Sequence, residues 1–388
     1  MYLIEFQRLL ITGLLFITDQ LFYWQLFSLL QGFAITFIIV PVVVIFARKF
    51  NLLYKPNNRS SHANPVPALG GIAIFAGFII TFQLITSITK QQSFTIIIAT
   101  TLIFFVGLID DLVEVKPWRK LIIIILLSLF ITQTQGLTID NFHGLFSINQ
   151  LNKLFSIAVT VLVIAYITNA INLIDGVDGL ASGLGITILS IFSYCFYHSN
   201  NIQYLSLTLP MIASLTAFLL FNIWGKRYKI FMGDSGSLLL GLIVAVSLIR
   251  FMKISQGAID NIGISPVTAF AVLIVPVYDA IHVSIKRLVT GRALFKPDKG
   301  HIHHTYLKLG FTHRITSLIL VAYTIIFFFL SQILLQFFND DVALAILIVL
   351  AILLWGFAET LLRKYPRKFA LRRYNYLSKI SYNTGTEK

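Results

Sequence analysis

Apolar runs recur along the chain, each close to the ~20 residues that cross a bilayer as a helix. Short polar stretches separate them. The pattern predicts about eleven transmembrane helices, near residues 28–47, 69–88, 94–109, 119–135, 153–171, 180–198, 204–221, 236–250, 263–284, 314–337 and 342–361. Strict two-residue alternation is absent, which excludes a membrane β-barrel. Glu5, Arg8 and Asp19 interrupt the first apolar stretch. Residues 1–27 therefore read as an interfacial segment, 28–361 as one transmembrane domain and 362–388 as a basic tail.

Composition agrees with this pattern. The chain is 57% hydrophobic and 12% charged, with a mean hydropathy of +0.84. An all-α polytopic membrane protein is expected, since helices satisfy their own backbone in lipid. The one cysteine, Cys195, sits in an apolar run, so no internal disulfide or redox chemistry is expected. The first residues lack the basic n-region and small-residue cleavage site of a removable signal peptide.

Net charge is +14. On a soluble protein that balance suggests nucleic acid. Here the cations lie between spans, and no nucleic-acid partner is expected. Only Arg8, Lys90, Lys153, Arg250 and Lys253 fall on one side of the threaded chain, and the rest of the 30 Lys and Arg residues fall on the other. The positive-inside rule then puts the N-terminus outside and the C-terminus in the cytoplasm. The tail, with Arg363, Lys364, Arg367, Lys368, Arg372 and Arg373, suits anionic lipid headgroups.

The polar residues that need a reason gather at the cytoplasmic helix ends. The fifth span runs into Asn169-Ala170-Ile171-Asn172-Leu173-Ile174-Asp175-Gly176-Val177-Asp178-Gly179. If helical, this stretch would set Asn172, Asp175 and Asp178 on one face; a plain polar connection is the alternative. The third span ends Gly107-Leu108-Ile109-Asp110-Asp111. Adjacent carboxylates at a membrane edge call for a divalent cation or a raised pKa, and a helix C-terminus disfavours anions. Lys116, Arg119 and Lys120 follow. Before the eighth span stands Phe231-Met232-Gly233-Asp234-Ser235-Gly236-Ser237. It sets an acceptor and backbone donors at a helix N-terminus, as in a metal or phosphate site, although Asp234 as a simple N-cap reads the same.

Two further loops carry cations. The first contains Arg59-Ser60-Ser61-His62 among prolines, ending Gly70-Gly71; its guanidinium, hydroxyls and imidazole can hold phosphate oxygens, as can any positive-inside loop. The last contains His301-Ile302-His303-His304 and reads as a cationic, hydrogen-bonding clamp for a diphosphate. Zinc fits less well, because no cysteine is at hand and the carboxylates suit a harder ion. Asp279, beside Pro276 in the ninth span, is expected to be a buried partner for a basic residue.

Carboxylates with basic loops suggest Mg²⁺ and phosphates, Mn²⁺ being an admissible replacement. A site at a membrane edge suggests one water-soluble and one lipid substrate, hence phosphoryl transfer from a nucleotide to a lipid phosphate. A transporter would instead set polar groups near the bilayer midplane on broken helices.

These five motifs in order resemble the polyprenyl-phosphate N-acetylhexosamine-1-phosphate transferases of glycosyltransferase family 4, over about residues 28–338. The resemblance implies Mg²⁺-dependent transfer of a sugar-1-phosphate from a UDP-N-acetylhexosamine to polyprenyl (undecaprenyl) phosphate. UMP is released and a lipid-linked cell-surface glycan, such as O-antigen, is begun. It implies a bacterial inner membrane, and it allows a homodimer. Carried over by motif, Asp234, Asp111 and Asn172 would contact the metal. Asp110 and Asp111 would supply the base for the lipid phosphate, with Asp234 completing the catalytic carboxylates. Asp175 and Asp178 would line the nucleotide pocket, and Phe231 would stack on uracil. Lys120, Arg59, Ser61, His62, His301, His303 and His304 would hold phosphates or substrate.

The chain departs from the family where Ala68-Leu69 replaces an arginine that relatives often carry before the glycines. His-Ile-His-His, rather than His-His-His, favours the branch that starts O-antigen, teichoic or common-antigen lipids over phospho-N-acetylmuramoyl-pentapeptide transferase. N-acetylglucosamine is the first choice of sugar. A transporter or flippase, and a binding-only homologue, remain as readings of other classes.

Overall fold

In the computed structural model the described residues are 2–52, 65–88, 93–148, 150–254, 265–291 and 300–364, with side chains from residue 23 onward, Ile88 excepted. The helices in chain order are α1 (Tyr2–Lys49), α2 (Gly70–Ile88), α3 (Phe94–Val113), α4 (Pro117–Gln135), α5 (Lys153–Ile174), α6 (Leu180–His198) and α7 (Ile202–Trp224). After them come α8 (Gly233–Met252), α9 (Pro266–Val272), α10 (Ile274–Val289), α11 (Ile302–Lys308), α12 (His313–Phe337) and α13 (Asp340–Lys364). Among the described residues no strand forms; Asn141 and Gln150 make an isolated bridge. Among the described residues ten helices are long and apolar enough to cross a membrane, or up to eleven with α9 and α10 as one bent span. The chain is a multi-pass helical membrane protein.

The expected spans match these helices to within a few residues, with two differences. The boundary expected at residues 27/28 falls inside α1. Residues 14–31 contain neither proline nor glycine, so nothing in the backbone stops the helix there. Glu5, Arg8 and Asp19 oppose burial in lipid, not helicity.

The ninth span, expected to be continuous, is broken, and α9 and α10 meet at 81°. Pro276 lacks the N–H that would bond the carbonyl four residues earlier, and its ring crowds that carbonyl. The Leu273 N–H is shared between the carbonyls of Ala269 and Phe270 at 3.3 and 3.1 Å. Tyr166 of α5 donates to the Val277 carbonyl at 3.0 Å, tying α10 to the bundle.

Helix α8 is the centre. Nearly every side chain from Ser235 to Met252 is buried, and α8 packs against α2, α3, α5, α6, α7 and α9. Lipid offers no hydrophobic force between helices, so close packing and hydroxyl bonds hold such bundles. Thr36 of α1 donates to the Ala73 carbonyl of α2 at 3.2 Å, and Ser193 of α6 donates to Thr208 of α7 at 2.6 Å.

The motif-bearing helix ends meet at one end of this bundle: the C-termini of α3, α5 and α7, and the N-termini of α2, α4, α6, α8 and α12. There the chain before α2 pairs with the chain before α8. The Phe231 N–H donates to the Pro67 carbonyl, and the Gly70 and Gly71 N–H groups donate to the carbonyls of Phe231 and Met232, at 2.8–2.9 Å.

Candidate active site

Helix α8 begins with Gly233 at φ +74°, a region that favours glycine. A Cβ there would lie 2.2 Å from the Ala68 carbonyl oxygen. The residue before it, Met232, offers no side-chain cap, and Asp234 lies in the first turn rather than capping it. The cap comes from α3. Asp111 accepts the Asp234 N–H at 2.6 Å, and the Ser235 N–H and hydroxyl at 3.0 and 2.6 Å. The free donors expected at this N-terminus are thus already taken by a carboxylate of the chain itself.

Asp110, one residue earlier, points to a different partner. Lys120 of α4 donates to Asp110 Oδ2 and to Asp234 Oδ2, both at 2.6 Å. The Val115 N–H donates to the other oxygen of Asp110. Adjacency of the two aspartates is thus resolved by division: Asp111 caps α8, while Asp110 shares an ammonium with Asp234. Asn172, in the last turn of α5, donates its amide to Asp234 Oδ1 at 3.1 Å and to Ser237 Oγ at 2.8 Å.

Helix α5 stops at Ile174, so Asn172, Asp175 and Asp178 do not share a helical face; the two aspartates lie on the loop leading to α6. Asp175 is half-buried there. Loss of hydration, then the nearby charges of Asp234, Asp111 and Asp178, push its carboxyl up to about 8. Asp178 takes a salt bridge from Lys229 at 2.6 Å and lies 3.5 Å from His313. Its carbonyl accepts from Ser317 at 2.7 Å. Lys229 also reaches the Asn222 carbonyl and lies 6.0 Å from the Phe231 ring.

Asn222 completes the knot. It accepts the Gly179 N–H at 2.6 Å and donates to the Ile230 carbonyl at 2.9 Å. Lys229, Asn222, His313 and Ser317 were not among the expected site residues. A lone asparagine at the end of an apolar span was a usable signal for Asn222; Lys229 looked like any other loop cation.

The histidines arrive on α11. His303 is buried, and its ring abuts the loop after α5: a Cβ on Gly176 would lie 2.4 Å from His303 Nε2. Burial first, then the imidazoles of His304, His301 and His313, hold His303 well below the usual histidine range. It is neutral at pH 7, so the cationic clamp expected here is, at His303, a hydrogen-bonding group. Its Nδ1 is buried without a hydrogen-bond partner among the described residues. Asp279 is a buried partner of a basic residue, as expected: it meets His301 at 2.7 Å. Arg59, Ser61 and His62 lie outside the described residues.

Among the described residues no three His, Cys, Asp or Glu side chains already form a metal cluster. The donor chemistry nonetheless fits a hard divalent cation. Asp110 and Asp234 share one positive charge at Lys120, and Asn172, with its N–H groups spent, can offer its carbonyl oxygen. Both oxygens of Asp111 are taken by the N-terminus of α8, whereas Asp110 and Asp234 each spend one oxygen on the shared Lys120 ammonium, a contact that a metal ion can replace.

A profile of glycosyl transferase family 4 matches residues 93–252, which hold α3 to α8 and all these carboxylates. A Bacillus subtilis (strain 168) protein named a probable undecaprenyl-phosphate N-acetylglucosaminyl 1-phosphate transferase is 34% identical over 335 residues, 83% of this chain and 88% of its own. Two proteins named undecaprenyl-phosphate alpha-N-acetylglucosaminyl 1-phosphate transferase are also similar. The one from Yersinia pestis is 31% identical, covering 89% of this chain and 92% of its own. The one from Escherichia coli (strain K12) is 30% identical, covering 69% and 72%.

Proposed function

The chain belongs to glycosyl transferase family 4 as a glycosyl-1-phosphate transferase, and from that premise we propose that it moves N-acetylglucosamine-1-phosphate from UDP-N-acetylglucosamine to undecaprenyl phosphate. The site faces the cytoplasm of a bacterial inner membrane, and the product begins a lipid-linked surface glycan. The observation that carries this is the Asp110–Lys120–Asp234 bridge beside Asn172, at a helix-lined membrane edge. It pairs exchangeable positive charge with oxygen donors where a diphosphate and a lipid phosphate can both reach.

In the reaction an oxygen of the lipid phosphate attacks the β-phosphorus of the sugar nucleotide. The bond from that phosphorus to the bridging oxygen breaks, and UMP leaves with the oxygen. Asp234, Asp110 and the Asn172 carbonyl would hold Mg²⁺, which would supply Lewis-acid neutralisation of the diphosphate and the leaving group. Lys120 trades one carboxylate for a phosphate oxygen and keeps the local charge balanced. Asp110 receives the proton of a monoanionic acceptor phosphate. Phe231 offers a face for uracil, and His304 a donor for phosphate, with His303 packed behind it.

Purified protein with undecaprenyl phosphate and a panel of UDP-sugars tests this. UMP release is expected with UDP-N-acetylglucosamine, lost on chelation and restored by Mg²⁺. Turnover of UDP-N-acetylmuramoyl-pentapeptide alone overturns the choice of sugar. Substrate movement without UMP release overturns the transferase itself.

A further inference from the structure

Among the described residues Asp279 is the most deeply buried carboxylate outside the site, with only 1% of its surface exposed. It touches none of Asp110, Asp234 or Asn172, and the reaction above does not use it. A buried carboxylate is costly unless both its oxygens are engaged. Those of Asp279 are, and by one short segment: Oδ1 accepts the Ile302 N–H at 2.7 Å, and Oδ2 meets His301 Nδ1 at 2.7 Å.

That segment starts α11, a helix of seven residues. A helix this short does not hold itself in isolation. Its own N-cap residue, His301, makes no side-chain cap. Asp279 supplies the missing acceptor from 23 residues away, and the 81° bend at Leu273 aims α10 so that it can. His301 donates from Nδ1 to the carboxylate, which leaves Nε2 as the ring's other face.

From there the contacts run to the substrate loops. His301 stacks parallel to His303, with centroids 5.6 Å apart and planes at 7°, and His303 meets His304 at 4.3 Å. His303 presses on Gly176, which lies between the two aspartates of the nucleotide-side loop, Asp175 and Asp178. Moving the start of α11 therefore moves His303 off Gly176 and His304 with it.

We propose that Asp279 is a positioning residue for the sugar nucleotide: it holds the His301–His304 segment against the Asp175–Gly179 loop, so donor binding depends on a carboxylate that touches no substrate. The role rests on the transferase reading, and it separates the two substrates. The donor needs α11 in place, whereas the acceptor phosphate answers to Asp110 and Lys120.

Asp279→Asn keeps the shape but exchanges one acceptor oxygen for an amide that faces His301 Nδ1 as a donor. Outer-shell partners of this kind are worth ~10–100-fold, so KM for UDP-N-acetylglucosamine should rise by at least ~10-fold with little change in kcat or in KM for undecaprenyl phosphate. UDP binding measured calorimetrically without lipid acceptor should weaken in parallel. Asp279→Glu, which restores a carboxylate, should recover part of both. A general loss of folding would instead lower kcat and the melting temperature without separating the two KM values. Should Asp279→Asn not fold, Asp279→Glu decides in its place: its longer arm displaces the start of α11, so a smaller rise in KM for UDP-N-acetylglucosamine is expected with KM for undecaprenyl phosphate unchanged. Unchanged UDP affinity, or equal effects on both KM values, overturns the positioning role. If the wild-type protein releases no UMP from any UDP-sugar, the transferase reading fails, while the loss or retention of UDP affinity in Asp279→Asn still decides the role of Asp279.

Discussion

Asp175 shows what a single residue disclosed and what it hid. Its place after an apolar span and before a glycine marked it as a ligand candidate. Its protonation state depends first on burial and then on three carboxylates brought by α8, α3 and the α5–α6 loop, and no local pattern reports either. With its carboxyl raised from 3.8 to about 8, the folded protein retains a proton that the unfolded chain releases at much lower pH. The sign follows from linkage: stability is greatest below the unfolded value, falls as pH rises through the interval, and levels off above about 8. In metal-free detergent solution the melting temperature should therefore decline between pH 4 and 8, and less steeply in Asp175→Asn. Equal slopes in the two proteins would remove Asp175 as the cause. Asp178 carries the complementary lesson. It was read as part of the nucleotide pocket, yet its carboxylate is engaged by Lys229, whose neighbourhood in the chain looked like an ordinary basic loop.

At the scale of elements, most of the helices were legible because a bilayer demands long apolar runs. Where they touch was not, since a one-residue shift in helix register changes every partner. The end of α3 illustrates this. Sequence showed two adjacent aspartates in need of relief; only the meeting of α3 with α8 shows that Asp111 caps the partner helix and Asp110 faces Lys120. The two should then fail differently. Asp111→Asn loses a charged cap, and caps contribute ~0.5–2 kcal/mol, so it should lower the melting temperature as well as turnover. Asp110→Asn should leave the melting temperature near that of wild type and remove turnover. Thermal denaturation in detergent beside UMP release separates them, and identical melting behaviour would contradict the division of labour. The bend between α9 and α10 was half legible. Pro276 was visible, but proline within α1 and α7 leaves those helices unbroken, so proline alone did not foretell an 81° turn.

For the whole molecule, the remaining argument is orientation. The motif-bearing end carries Lys120, Lys229, Arg314 and the histidines. At the opposite end the cations are few, and two of them are internally engaged: Arg250 Nε donates to Asn201 at 2.8 Å, and Lys253 donates to the Gly136 carbonyl at 2.9 Å and lies 3.5 Å from Asp140. Cations retained on the cytoplasmic side set membrane topology, so the site should open inward, where nucleotide-activated sugars are made. Helix α7 offers a direct reading, because its 23 residues rise ~35 Å, enough for a ~30 Å hydrocarbon core. Asn200 and Lys226, both exposed, flank it at opposite ends, and the native Cys195 is buried. In intact cells a membrane-impermeant maleimide should label Asn200→Cys and spare Lys226→Cys until the membrane is opened. The reverse pattern would turn the site outward, away from its nucleotide donor, and would require a different source of activated sugar.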